Sequence, residues 1–131
     1  MRTLDELRDT LKTYGAAEYV YDADVGYIAW HFITGGNLEV LYFEAAEKGR
    51  GLGRELYRRL ALELLGSGRR PYHSVVGYRR SGNQQAARFY DKLGWTQVDL
   101  GQSVYRDGGT TLMWITWADL LKNLGLAGQP E

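Results

Sequence analysis

The stretch FEAAEKGRGLGRELYRRL (residues 43–60) joins the apolar run LEVLYF (38–43) to a leucine-rich amphipathic segment. Three glycines within five residues, Gly49, Gly51 and Gly53, stand where the pattern predicts a helix to begin. Glycine there costs backbone entropy, so a bare backbone must serve some purpose. A strand that delivers a glycine-rich turn into a helix N-terminus makes an anion site. The unpaired N–H groups of the first turn converge, and the helix dipole adds about half a positive charge. Missing Cβ atoms let a phosphate approach, with Lys48, Arg50 and Arg54 around it. The spacing is neither G-x-x-x-x-G-K-[ST] nor G-x-G-x-x-G, which disfavours a nucleoside triphosphate or a dinucleotide. The turn therefore reads as a seat for a phosphate or diphosphate, or as a purely structural helix entrance.

Outward from this unit, Leu52, Leu56, Leu60 and Leu64 recur every four residues and predict a helix over 51–65, ended by Gly66-Ser67-Gly68. Upstream, TLDELRDTLKTYG (3–15) reads as a helix capped by Thr3 with Glu6 three residues on, its face formed by Leu4, Leu7 and Leu11. Between them, residues 18–46 are rich in aromatic and β-branched types. Turn signals at Ala23-Asp24 and Gly35-Gly36-Asn37 divide them into an antiparallel meander near 19–22, 26–33 and 38–44. Downstream, PYHSVVGY (71–78) predicts a short buried strand. NQQAARFYDKLGW (83–95) predicts a helix capped by Asn83, lined inside by Ala86, Phe89, Tyr90 and Leu93, and stopped by Gly94. TQVDL and SVYRDGGTTLMWITW suggest two more strands with a hairpin at Asp107-Gly108-Gly109, and ADLLKNLG a closing helix. With no repeat or linker, residues 1–126 read as one α/β domain with a mixed sheet and 127–131 as a frayed tail.

Composition narrows the chemistry. In 131 residues there is no cysteine, so disulfides, thiolate metal sites and a cysteine nucleophile are excluded. Two histidines, His31 and His73, are too few for an ordinary zinc site, and no metal is expected. Residues 1–47 hold nine Asp/Glu against three Lys/Arg, whereas residues 48–80 hold nine Lys/Arg against two Glu. That asymmetry suggests an anionic partner for the middle segment and a cationic one for the first, although Arg58 and Arg59 suit a solvated helix face. Neither a signal peptide nor a membrane span is read, so a cytoplasmic protein is expected.

Two motifs carry a family resemblance. Residues 43–60 resemble the acyl-coenzyme-A pyrophosphate loop of the GNAT acetyltransferase superfamily, [RQ]-x-x-G-x-[GA], at Lys48, Gly51 and Gly53, with lysine in place of arginine or glutamine. Residues 83–95 resemble its N-x-x-A-x-x-[FL]-Y-x-[KR]-x-G-[FW] segment at Asn83, Ala86, Phe89, Tyr90, Lys92, Gly94 and Trp95. The resemblance spans about 26–117. It implies a splayed, mostly antiparallel mixed sheet flanked by helices, with acetyl-CoA where two central strands diverge. One helix precedes the meander where the superfamily has a strand and two helices, so the N-terminal part reads as abbreviated, with an uncovered edge.

The activity implied is transfer of an acetyl group from acetyl-CoA to an amine of a protein, peptide or small molecule, by direct attack in a ternary complex. The alternative is a non-catalytic acyl-CoA-binding sensor or interaction module. The resemblance gives Lys48, Gly49, Arg50, Gly51, Leu52, Gly53 and Arg54 to the pyrophosphate, and the main chain of Leu41, Tyr42 and Phe43 to the pantetheine arm. Asn83 serves as cap and pantetheine contact. Tyr90 becomes the acid that protonates the leaving thiolate, as a phenol with its usual pKa of ~10, or else a core tyrosine. Glu39 is the expected base, with Glu44, His31, His73 and water as competitors. Arg54, Arg79, Arg80 and Arg88 are candidates for the adenosine 3′-phosphate. A nucleic-acid surface built on the basic segment with Tyr57, Tyr72 and Tyr78 is the remaining rival. The acidic residues Glu18, Asp22, Asp24, Glu39 and Glu44 favour a cationic acceptor. The LMWITW strand and meander edge are compatible with a homodimer.

Overall fold

Thr3 and Glu6 supply both halves of the expected capping box and open α1 (Leu4–Leu11). The computed structural model describes residues 1–101 and 109–127, so the expected hairpin turn at 107–108 and the tail from 128 lie outside the described residues. The meander follows as β1 (Glu18–Asp22), β2 (Gly26–Phe32) and β3 (Leu38–Ala45), then α2 (Leu52–Ser67), β4 (Ser74–Arg80), α3 (Gln84–Lys92), β5 (Thr96–Gly101), β6 (Thr110–Thr116) and α4 (Trp117–Asn123). The six strands form one sheet in the order β1-β2-β3-β4-β6-β5. All neighbours are antiparallel except β3 and β4, which run parallel.

Alternation along the strands sorts the apolar residues onto two faces. On one, Leu56, Leu60 and Leu64 of α2 pack with Ile28, Trp30, Leu38 and Val75, and with Tyr90 of α3 and Leu120 and Leu121 of α4. Each leucine fully buried there contributes about 1.5–3 kcal/mol. On the other face, Leu7 and Leu11 of α1 cover Tyr27 and Ala29, flanked by Tyr14, Tyr19, Tyr21, Leu41 and Tyr42. Thus, among the described residues, α1 is the helix that covers this face of the meander, as the abbreviated N-terminal pattern implies.

Part of the charge asymmetry is answered within the chain. Arg59 of α2 donates to Asp22 of β1 at 3.1 Å, and Arg69 forms a two-pronged pair with Glu18 at the other end of that strand. These contacts fasten α2 and the turn after it to the edge of the sheet. Arg69 holds the Glu18 carboxyl below its ordinary pKa, and the Asp24 N–H, followed by Arg59, does the same for Asp22.

The fourth strand starts later than expected, at Ser74 rather than residue 71. The Asn37 side-chain oxygen accepts from the N–H groups of both His73 and Ser74, and Tyr72 is 83% exposed. A side chain from the β2–β3 turn thus stands in for the ladder there. Among the described residues, no helix is long and apolar enough to cross a membrane.

Two glycines set opposite expectations. At Gly26 φ is +131° and a Cβ would lie 2.2 Å from the Glu44 carbonyl oxygen, whereas Gly66 of α2 has open space. Gly26→Ala should cost about 3 kcal/mol or more. Gly66→Ala should stabilise by up to about 1 kcal/mol, both read from denaturant midpoints.

Candidate active site

The parallel strands β3 and β4 pair only at Leu38–Val75 and Glu39–Val76. Beyond Glu39 they part, and a cleft of about 300 Å³ opens between them. A bulge in β3 accompanies the divergence: Ala29 pairs with Tyr42 but Trp30 with Val40, so Leu41 is surplus. A bulge bends its strand and breaks the ladder. Here it turns Leu41 and Tyr42 together toward α1, while Val40 and Phe43 pack toward α2. The expected pantetheine segment, Leu41 to Phe43, lines the cleft, and toward β4 its backbone has no strand partner.

From α3, Tyr90 reaches the cleft wall with 5% of its surface exposed. Its hydroxyl lies 2.6 Å from that of Tyr57, which is wholly buried on α2. Among the described residues Tyr57 has no other hydrogen-bond partner. If Tyr90 donated, the Tyr57 proton would be orphaned in the core at a cost of about 1–3 kcal/mol. Either hydroxyl can donate in this bond; with Tyr57 as donor, Tyr90 accepts and keeps its own proton for the cleft. Burial drives both phenols above their ordinary pKa, so the value of ~10 expected for Tyr90 is too low. The rings of Phe89 and Trp95 lie edge-on to Tyr90 at 5.0 and 4.9 Å and hold it in place.

Glu39 belongs to the last β3–β4 pair, at the apex of the cleft. Its Oε1 lies 2.5 Å from His31 Nε2, directly across the β2–β3 ladder, and the Tyr14 ring stands edge-on to the imidazole at 5.5 Å. Two of the expected bases are thus one pair. The other two are elsewhere: Glu44 accepts from the Tyr27 hydroxyl at 2.8 Å, and His73 is exposed ahead of β4.

The glycine turn enters α2 as expected, but its glycines differ in purpose. Gly49 and Gly51 have φ of +77° and +72° with open space beside them, and no side chain caps the helix. Gly53 is a packing residue: a Cβ there would come within 2.8 Å of the Phe89 ring and 3.1 Å of Phe43. The absent Cβ at Gly53 thus has a packing reason not foreseen from the sequence. Arg54 also departs from expectation, because it turns away and donates to the Asn123 carbonyl at 3.2 Å, at the end of α4. Arg50 pairs with Glu47 at 2.8 Å, Lys48 is exposed and Leu52 is half-buried. Asn83 caps α3 through the Ala86 N–H at 3.0 Å and also lines the cleft. Arg79 is bound to Gln97 and to the carbonyls of Arg80 and Ser81. Full burial of Tyr57 removes it from any base-stacking surface. Its burial was readable in the spacing of Gly53, Tyr57 and Ala61, a second inner column four residues apart. Arg2 on the cleft wall carried no such signal.

The family model described as FR47-like protein matches residues 20–106. No curated protein matches the chain. Among solved structures, Ard1 from Thermoplasma volcanium is 24% identical with a TM-score of 0.58, over 70% of this chain and 62% of that one. A protein of Desulfovibrio desulfuricans placed in the GNAT family is 19% identical with a TM-score of 0.63, over 87% and 82%. The protein yncA from Salmonella typhimurium, solved with its cofactor acetyl-CoA, is 25% identical with a TM-score of 0.55, over 70% and 57%. The chain spans less than two thirds of the length of the first and third of these.

The buried phenols give a pH signature. Their folded pKa lies above the unfolded value of 10.0, so the stability they contribute is present below that pH and lost as pH rises past it. Tm should fall beyond pH ~10, and less steeply in the Tyr57→Phe, Tyr90→Phe double variant. A tyrosinate titration by ultraviolet absorbance should show two phenols that ionise only on unfolding.

Proposed function

Since the chain belongs to the FR47-like family and carries the GNAT acetyltransferase fold, we propose that it moves an acetyl group from acetyl-CoA to an amine by direct attack in a ternary complex. The observation that carries this reading is the cleft that opens past Glu39–Val76 with the Tyr90 phenol on its wall.

In this reading the cosubstrate's pantetheine arm pairs with the free backbone edge of Leu41, Tyr42 and Phe43, as an added strand would. Its pyrophosphate rests on the N–H groups of the uncapped α2 entrance, from Gly51 to Arg54, with Lys48 and Arg50 at hand. Gly53 and Arg54 then contribute main chain only. Glu39, oriented by His31, takes the proton that the attacking amine loses. A main-chain N–H of the 41–43 segment faces the thioester oxygen as charge gathers there. Tyr90 hands its proton to the sulfur as the carbon–sulfur bond breaks and recovers it from solvent. A phenol above its usual pKa stays protonated throughout the neutral range and is a weaker acid than an ordinary one, so it gives up its proton only as the charge on sulfur develops. Tyr57 sets its direction.

Purified chain with acetyl-CoA and an amine panel tests the reading by release of free coenzyme A. Coenzyme A and acetyl-CoA at 100 times their dissociation constants should each add about 2.7 kcal/mol of stability, whereas ATP and an oligonucleotide should add none. Tyr90→Phe should lower kcat by ~10²-fold with near-normal cofactor affinity. Retained binding without turnover on any amine would favour the sensor reading, and loss of binding would remove both.

A further inference from the structure

Among the described residues, the charged side chains on the cleft wall are Arg2, Arg79 and Arg80, with no carboxylate among them. Arg79 is committed to Gln97 and two carbonyls, toward α3. Arg2 is different. It lies on the α1 face, opposite the α2 entrance where the pyrophosphate reading places the cofactor's phosphates, and so at the acceptor's side of the cleft. Three contacts fix it there. The Tyr21 hydroxyl donates to its carbonyl at 2.8 Å, and its Nη1 donates to the Tyr27 hydroxyl at 3.0 Å. Its guanidinium sits 4.9 Å from the centre of the Tyr42 ring. Glu44, which binds the far side of Tyr27 at 2.8 Å, supports its positive charge from behind that ring rather than from the cleft wall.

An arginine held this way has already given up much of its side-chain freedom, yet most of its five N–H groups remain for another acceptor. Its planar fork matches a carboxylate. Three of the five acidic residues that led the sequence to favour a cationic acceptor are engaged elsewhere, Glu18 with Arg69, Asp22 with Arg59 and Glu39 with His31, and neither Asp24 nor Glu44 lines the cleft. A polyamine entering here would meet a fixed cation.

We propose that the acceptor is a small amine bearing a carboxylate beside its amino group, as a free amino acid does, and that Arg2 recognises that carboxylate. The proposal rests on the acetyltransferase reading for the fate of the amine, but not for the binding of the acid.

The test compares free amino acids with their carboxamides, which keep the amine and lose the charge, and with a polyamine. Released coenzyme A is measured with a thiol reagent, to which this cysteine-free chain adds no background. The acids should exceed their amides at least 10-fold in kcat/KM. Arg2→Gln should raise KM for the acids by about 10- to 100-fold with kcat and coenzyme A affinity little altered, and Arg2→Lys should recover part of the loss. Equal use of acids and amides would overturn the proposal, as would an Arg2→Gln effect shared by all acceptors or confined to coenzyme A affinity. If no amine is turned over, calorimetry of an amino acid against the chain with free coenzyme A still decides. Arg2-dependent binding upholds the carboxylate site and removes the transferase reading, whereas no binding overturns the site itself.

Discussion

Two residue pairs, Leu38–Val75 and Glu39–Val76, are the whole strand junction between the meander and the C-terminal half of the sheet. Leu38 and Val75 are fully buried beneath α2, so apolar packing secures a junction whose hydrogen bonding is minimal. Every feature of the candidate site is located by where that junction stops. Glu39 is its last member, the cleft begins one residue later, and the free backbone of Leu41 to Phe43 is what a longer ladder would have consumed. α3 then delivers Tyr90 to the cleft's far wall, and α1 delivers Arg2 to its opposite face.

The parts of this arrangement that were legible in the sequence depend on local spacing. The Thr3–Glu6 capping box, the meander and its turns, the leucine column of α2 and the Asn83 cap each follow from residues within a few positions of one another. The parts that were not legible depend on distant partners. Asn37 delays β4 from across the sheet, and Arg54 turns to a carbonyl sixty-nine residues away. Gly53 looks like a ligand contact until Phe43 and Phe89 close around it. The bulge at Leu41 has no glycine or proline to mark it, because it is imposed by the register between β2 and β3. In the candidate site, Tyr90 and Glu39 came from motif and strand position, whereas Tyr57 and His31 gained meaning only as their neighbours.

Charge taught a related lesson. Part of the acidic first third pairs with the basic middle: Arg59 of α2 meets Asp22, Arg69 just past α2 meets Glu18, and Arg50 meets Glu47. A bias between segments of one chain is evidence of an outside partner only after such internal pairs have been removed. Inside the cleft, the charged lining among the described residues is positive, of opposite sign to what the N-terminal segment alone suggested.

The surplus residue at Leu41 also bears on how such a site persists. A sheet with two free, facing edges is an invitation to zip shut, and each new rung would be favourable. One extra residue puts the donors and acceptors of β3 out of step with its neighbours, so closure would have to reset the register of the whole strand first. The cleft is in this sense a dislocation, in the metallurgist's meaning: a single added unit that cannot be annealed away locally. On the acetyltransferase reading proposed for this chain, that unpaired edge of β3 is what the pantetheine arm would pair with.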